Sequence, residues 1–471
     1  MILSAEYIVK AVGGTLVKGK ESNCSDGIST DTRNIKPGNL FIALEGPNFK
    51  GSDFIPDALE KGAAGILASR LPGETFIYPD WFFVRVEDTE WAMGDLANRW
   101  RCECDPYVCS VMGSSGKTTT KQMISSILSL KFNTVSTRGN FNNTIGVPLT
   151  IFEIERETEA AVLEIGMNQP GEMARLGEIV DPDILVVVNI GRAHLGMFPG
   201  QEDLINAKAE IFETLRPDCP MVINIDCTKT PFFLEKSRHD HEFITFGFSR
   251  DADFRAVRMR HCKKGYRFDL VVRGEKIVRM HLPLFGKYNI LNALSAIAAA
   301  ERMGVDIPVA VECLEKFRPA DLRSESFECD GVRIICDCYN ANPDSSAAVL
   351  GSFRGNGIEG KVIVVHGDML ELGEAAESLH RETGIVAAES GVDVLLTYGD
   401  LARFMGEEAS AKGILSIHTR KHEEIVSELE KVAKPGDTVL FKGSRLMKLE
   451  VAAKEFMKRL KGDNEKGGEG E

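Results

Sequence analysis

A chain of 471 residues with 43% hydrophobic and 27% charged content is long enough for a large core and points to about two to four domains. Its formal charge of -14 argues against a nucleic-acid polyanion as the main partner, because proteins of that kind carry a basic footprint. Met1 to Tyr7 turns polar too early for a secretory signal, and no uninterrupted apolar run reaches about eighteen residues, so a cytoplasmic location without membrane attachment is expected. The 11 cysteines are scattered and odd in number, which reads as reduced thiols rather than a disulfide framework. Cys102 with Cys104, and Cys336 with Cys338, sit one residue apart, a spacing unlike that of structural zinc or redox pairs.

In chain order, residues 1–105 read as a small mixed domain with turn signals at Gly13-Gly14, Pro37-Gly38 and Pro72-Gly73, and an apolar strand from Leu40 to Leu44. Residues 106–317 alternate short β-rich runs with helical periods, the pattern of parallel βαβ units, with strands expected at Tyr107 to Met112, Ala160 to Ile165, Ile184 to Ile190 and Met221 to Ile225. Residues 318–460 repeat that style, with strands at Val332 to Asp337, Lys361 to His366, Val392 to Tyr398 and Thr438 to Phe441. The polar segment 461–471 has little to bury and is expected to be disordered. The fold class is therefore α/β in three domains: a small mixed N-terminal domain, a central P-loop ATPase-type parallel sheet and a C-terminal Rossmann-like domain.

The segment Gly113, Ser114, Ser115, Gly116, Lys117, Thr118, Thr119 lies between an expected strand and a helix whose apolar positions are Met123, Ile124, Ile127 and Leu128. Glycines there let backbone N–H groups close around phosphate oxygens, Lys117 reaches terminal phosphates, and Thr118 can hold Mg²⁺. The strict pattern would have glycine at position 111, where this chain has Val111. Glu164 ends one apolar strand and His194 follows the next; strand ends of a parallel sheet open on one crevice, so both are candidate metal ligands. Magnesium prefers oxygen, and an imidazole would suit Mn²⁺ as well. Lys208, in a helix of alternating character, reads on residue chemistry alone as an exposed lysine.

Taken together, these motifs resemble the Mur ligase family, most closely its MurF branch, which adds D-alanyl-D-alanine to UDP-N-acetylmuramoyl-tripeptide. The resemblance runs from Ser29 to Arg33 and Lys36 to Leu44, through Gly139 to Asn143, Gly146 to Pro148, Ala207 to Glu210, Gly286 to Asn289 and Asn292, to Asp337 to Pro343, Gly367 to Gly373 and Lys442 to Arg445. It implies an ATP-dependent ligase that activates a carboxylate as an acyl phosphate in peptidoglycan precursor synthesis. It further implies ATP contacts along 113–119 and at Asn289, Asn292, Arg323 and Asp337, with Arg323 on the phosphates and Asp337 on the ribose. Thr118 and Glu164 would hold one magnesium ion and His194 a second, beside a carbamylated Lys208. Small-molecule substrate contacts are implied at Thr32, Arg33, Asn140, Tyr339, Asn340, Asn342, Lys442 and Arg445.

The chain departs from the family pattern at Met112, at Tyr288, at Cys336 and Cys338, and at Lys50 to Ser52, where an Asp-Gly-His sequence is common. Met112 should leave phosphate binding intact, since the backbone does that work, and the change at Lys50 to Ser52 bears on substrate rather than on ATP. These departures keep a second reading open, that of a MurF-like relative from methanogens, coenzyme F(430) synthetase, which closes a carbocyclic ring on a nickel tetrapyrrole acid with the same phosphorylating half-reaction.

Overall fold

The computed structural model describes residues 1–46, 49–72, 80–237, 241–353 and 360–466. It divides into two compact units, one built from 1–110, 132–183 and 210–219, the other from 111–131, 184–209 and 220–471.

In the first unit a five-stranded sheet takes the order Thr15–Lys18, Phe82–Arg85, Gly65–Ala68, Leu40–Ile42, Ile28–Ser29, parallel except for the pairing of Thr15–Lys18. The expected strand from Leu40 stops at Ile42. Beyond it Leu44 C=O accepts the Gly51 N–H at 2.9 Å, and a Cβ at Gly51 would collide with that carbonyl, so only glycine lets the chain cross there. Phe41, Ile55, Ile66, Trp81 and Phe83 form the core under this sheet. The helix Thr89–Cys104 begins where Asp88 accepts the N–H groups of Glu90 and Trp91, and ends at Asp105 in the left-handed conformation. The same unit pairs Thr134–Ser136 with Ala160–Glu164 in parallel.

The second unit holds two sheets. One runs Ile184–Val187, Met221–Asn224, Phe243–Gly247 and Phe254–Cys262 in parallel, then turns antiparallel through Gly265–Val272 and Glu275–Leu282. The antiparallel pair is absent from the sequence reading because its solvent side is charged: Asp269 takes Arg279, Lys276 and Arg258 at 3.1, 3.2 and 3.3 Å, which breaks the apolar run that marks a buried strand. The other sheet takes the order Glu325–Cys329, Val332–Asp337, Thr438–Lys442, Val362–Gly367, Val394–Tyr398, Leu415–Thr419, parallel but for its first pair.

Side chains alternate across the second sheet. Val332, Ile334, Ile363 and Phe441 pack on one face with Ile425, Leu429 and Phe456, while Ile335, Val364, Leu395 and Leu440 pack on the other with Val349, Leu379 and Met405. A period of two with both faces covered is what a doubly wound sheet requires.

Several expectations need correction. Ile165, Ile225 and Lys361 fall outside their strands, and the strand expected from Val392 begins at Val394. The strand from Ile184 ends at Val187 rather than Ile190, because Asn189 turns its backbone and side chain to the phosphate loop. The segment after Lys461 is helical as far as Lys466, as the last turns of Leu449–Lys466, and the remainder of the expected disordered tail lies outside the described residues. Phe441 is wholly buried in the centre of the C-terminal sheet. Phe441→Ala is expected to remove about 3–5 kcal/mol of stability, read as an earlier midpoint of urea unfolding; an unchanged midpoint would contradict this packing.

Candidate active site

The phosphate loop belongs to the second unit. Met112 C=O accepts the Val188 N–H at 3.0 Å, so the loop leaves the sheet beside the strand that leads to His194. Gly113 and Gly116 have φ of 150° and 81°, and a Cβ on Gly116 would stand 2.6 Å from Asn292 Oδ1. Glycine is thus required for the turn into the helix Lys117–Leu128. Asn189 acts as a backbone surrogate: its Oδ1 accepts the N–H groups of Ser114 and Ser115 at 3.1 and 3.0 Å, and its Nδ2 donates to Ser115 C=O at 2.9 Å. Ser114 Oγ accepts the Gly191 N–H at 2.7 Å.

Lys117 Nζ donates to Gly113 C=O at 2.9 Å, holding the ammonium over the loop. Thr118 Oγ1 accepts from Arg323 Nη2 at 3.2 Å, and the Arg323 guanidinium lies 3.9 Å above the Tyr339 ring. Residues named as distant candidates in the sequence, Thr118, Arg323 and Tyr339, therefore meet. Asn289 and Asn292 are both buried under the loop; Asn292 Nδ2 donates to Asn289 Oδ1 at 3.0 Å and Asn289 Nδ2 to Phe285 C=O at 2.7 Å. Thr119 is buried in the first turn of the same helix.

Lys208 corrects the reading of residue chemistry. It is 4% exposed, not a surface lysine, and burial first, then the Lys117 charge, bring its ammonium down to about 7. Near neutral pH a large share of Lys208 is free amine. His194 occupies a left-handed conformation, φ 65°, with Nδ1 2.9 Å from Glu371 Oε2. Burial and the Lys117 charge lower its pKa against the opposing pull of Glu371. With the proton on Nδ1, facing the Glu371 carboxylate, a neutral His194 keeps the Nε2 lone pair, the form that binds metal.

At the C-terminal end of the second sheet, Asp337 is fixed from two sides. Lys442 Nζ, buried, donates to Asp337 Oδ2 at 2.8 Å and to Asn340 C=O at 3.2 Å. Ser324 donates its N–H and Oγ–H to Asp337 Oδ1 at 3.2 and 3.3 Å, and Tyr288 OH lies 2.6 Å from Ser324 Oγ. Burial raises the Tyr288 phenol well above its usual range, so it stays a neutral partner. Asn342 accepts the Ser345 N–H at 2.8 Å as the cap of the helix Pro343–Leu350, and Asn340 Oδ1 accepts the Ala341 N–H. Arg445 pairs with Glu450 at 2.5 Å.

In the first unit, Glu164 is buried at its strand end; its Oε1 accepts from Asn142 Nδ2 at 2.8 Å and its N–H donates to Thr137 Oγ1 at 2.9 Å. Asn140 is exposed. Thr32 C=O accepts Lys61 Nζ at 3.0 Å, and Arg33 is exposed, with Asp31 bound to its guanidinium at 2.6 Å. That hydrogen bond holds the Asp31 carboxyl down to about 2. Ser52, at one of the departures from the family pattern, is buried and accepts Arg70 Nε at 3.0 Å.

The donor types fit magnesium. Thr118 in the second unit and Glu164 in the first each offer an oxygen of the kind that suits a hard ion; among the described residues no group of three or more His, Cys, Asp or Glu is placed to hold a metal. Asn189 was not singled out in the sequence, and Glu371 appeared only within the Gly367 to Gly373 segment, with no role of its own. An asparagine beside a strand has no signal of its own, and Glu371 meets His194 only through the fold.

Three family models match: the Mur ligase family catalytic domain over residues 25–101, the Mur ligase middle domain over 111–300 and the Mur ligase glutamate ligase domain over 322–445. The UDP-N-acetylmuramoyl-tripeptide–D-alanyl-D-alanine ligase of Bacillus subtilis is 34% identical, over 96% of this chain and 98% of its own. Among solved structures, MurF from Acinetobacter baumannii superposes with a TM-score of 0.89 at 29% identity, covering 97% of this chain and 99% of that one. MurF ligase from Thermotoga maritima, in complex with ADP, superposes with 0.83 at 26% identity, covering 93% and 99%. Three matched domains, the full-length relative and the phosphate loop agree: the chain belongs to the Mur ligase family.

Proposed function

We propose that this protein is an ATP-dependent ligase that joins D-alanyl-D-alanine to UDP-N-acetylmuramoyl-tripeptide, in the cytoplasm, through an acyl phosphate. The observation that carries the phosphorylating half is the loop of Gly113 to Thr119, with Lys117 Nζ bonded to Gly113 C=O over it and the buried Lys208 brought down to about 7 beside it. The choice of substrate rests on the full-length relative and on the MurF structures. Those likenesses favour peptide ligation over ring closure on a nickel tetrapyrrole, the second reading that Lys50 and Ser52 had kept open.

On this reading, residues 1–105 hold the nucleotide sugar, 106–317 bind ATP and 318–460 bring the dipeptide. Thr32, Arg33 and Asn140 serve the muramoyl substrate, and Tyr339, Asn340, Asn342, Lys442 and Arg445 line or shape the third domain's part. The physical problem is repulsion between a substrate carboxylate and the ATP phosphates. Lys117 and the backbone N–H groups of the loop meet the phosphates, Arg323 approaches beside Thr118, and Asn289, Asn292 and Asp337 position the nucleoside. Magnesium, when bound, would neutralise phosphate charge; Thr118 and Glu164 are the residues that would hold one ion and His194 a second, with manganese as a substitute. The carboxylate then attacks the γ-phosphorus, ADP leaves, and the amine of the dipeptide displaces phosphate from the acyl carbon.

We read Lys208 as a carbamylation site on the same grounds. Only a neutral amine adds to carbon dioxide, and burial supplies that form near neutral pH. The carbamate would turn a buried cation beside Lys117 into an anion able to organise metal.

Purified protein is expected to release phosphate only when ATP, Mg²⁺, UDP-N-acetylmuramoyl-tripeptide and D-alanyl-D-alanine are all present, with the pentapeptide product seen by mass. Lys117→Ala should lower kcat by about 10²–10³-fold; undiminished turnover would remove the loop from the chemistry. For Lys208, ¹³C-bicarbonate should yield a carbamate resonance that fades as pH falls below about 7, because protonation removes the nucleophile. Lys208→Ala should lose activity and recover part of it with short carboxylates; failure of both the resonance and the rescue would refute the carbamate.

A further inference from the structure

The loop 189–197 is bonded at both ends, and Arg192 stands at its middle. Upstream, Asn189 and Gly191 hold Ser114 and Ser115 of the phosphate loop. Gly191 is wedged so closely that a Cβ there would run into Asp344 Oδ2 and come within 3.3 Å of Ser114 Cβ. Downstream, the Gly196 N–H donates to Glu371 C=O at 3.0 Å, next to the contact of His194 with the Glu371 carboxylate.

Arg192 itself reaches two elements of the C-terminal sheet domain. Its backbone N–H and Nε donate to the two oxygens of Asp344 at 2.5 and 2.9 Å, at the first turn of the helix Pro343–Leu350. Its Nη1 and Nη2 donate to the two oxygens of Glu382 at 2.9 and 3.0 Å, on the helix Ala376–Glu389. A planar guanidinium that engages two carboxylates in fork geometry restricts orientation far more than a single surface ion pair does.

We propose that Arg192 is a positioning residue that latches the C-terminal sheet to the phosphate loop, so that the docked arrangement carrying Asp337, Lys442 and Glu371 is held before nucleotide arrives. The bonded path runs from Ser114 through Gly191 to Arg192, and from there to Asp344 and Glu382. Both ends of that path bear on ATP: one shapes the loop, the other keeps Arg323 and Asp337 at hand. Losing the latch lowers the fraction of molecules in the binding-competent arrangement, which weakens apparent nucleotide affinity in proportion. Chemistry after docking is left as it was.

This rests on the reading of the 113–119 loop as the ATP site, and the test separates the two. Glu382 is half exposed on its helix, so Glu382→Ala should fold even if Arg192→Ala does not. Each of these variants is expected to raise the KM for ATP by about fivefold, with kcat within about twofold of the parent. Arg192→Lys, which keeps charge without the fork, should fall between. The double variant Arg192→Ala/Glu382→Ala should be no worse than Arg192→Ala alone. Amide hydrogen exchange across 191–197, measured without nucleotide, should quicken in both single variants. An unchanged KM together with unchanged exchange, or additive effects in the double variant, would overturn the latch. An inactive parent enzyme would instead overturn the ligase reading, while the exchange experiment would still judge the latch.

Discussion

Two ammonium groups beside one phosphate loop, Lys117 and Lys208, cannot both stay charged at low cost in a space that excludes water. Lys117 Nζ is held over the loop by Gly113 C=O, and burial together with the Lys117 charge brings Lys208, almost wholly buried, down to about 7. The same positive field and the same burial act on His194, which is held neutral against the pull of Glu371. The result is a cluster short of negative charge, the complement of a polyanion, whose arrival relieves the strain that burial imposes on its cations. A protonated Lys208 is the costly member of this cluster, because burial and the Lys117 charge both oppose it.

The backbone delivers these groups by a simple rule. Parallel strands end on one side, and side chains just beyond their carboxyl ends converge. Asn189 and His194 follow Ile184–Val187, Asp337 ends its own strand, and Lys442 ends the neighbouring one. Three asparagines, Asn189, Asn289 and Asn292, supply donors and acceptors where the turning chain offers too few, and Gly116 and Gly191 remove the side chains that would block the approach.

What could be read in the sequence follows from the same physics. Strands at Tyr107–Met112 and Val332–Asp337 are short apolar runs and fall where expected, and the phosphate loop is legible because glycine and lysine spacing is local. Lys208 is not legible: its helix Gln201–Ala209 carries Gln201, Glu202 and Asp203 at the start, so it reads as exposed, and only packing from elsewhere buries the lysine. Glu371 and Arg192 gain their meaning from partners brought by the fold. Asn342 has a structural duty that the motif did not announce, as the cap of the helix Pro343–Leu350.

Lys442 shows how such a residue can matter to the structure before any substrate arrives. A buried ammonium costs much to desolvate, and its bond to Asp337 recovers that cost only if the geometry is kept. Removing either partner would leave an uncompensated charge, so each locks the other. Asp337 Oδ1 is meanwhile bound by Ser324, itself against the neutral Tyr288 phenol. The carboxylate is therefore oriented before any ligand arrives, and little reorganisation is left to oppose binding. Preorganisation of this sort on the C-terminal side has value only if that side is held to the phosphate loop, which is the part that Arg192 plays through Asp344 and Glu382.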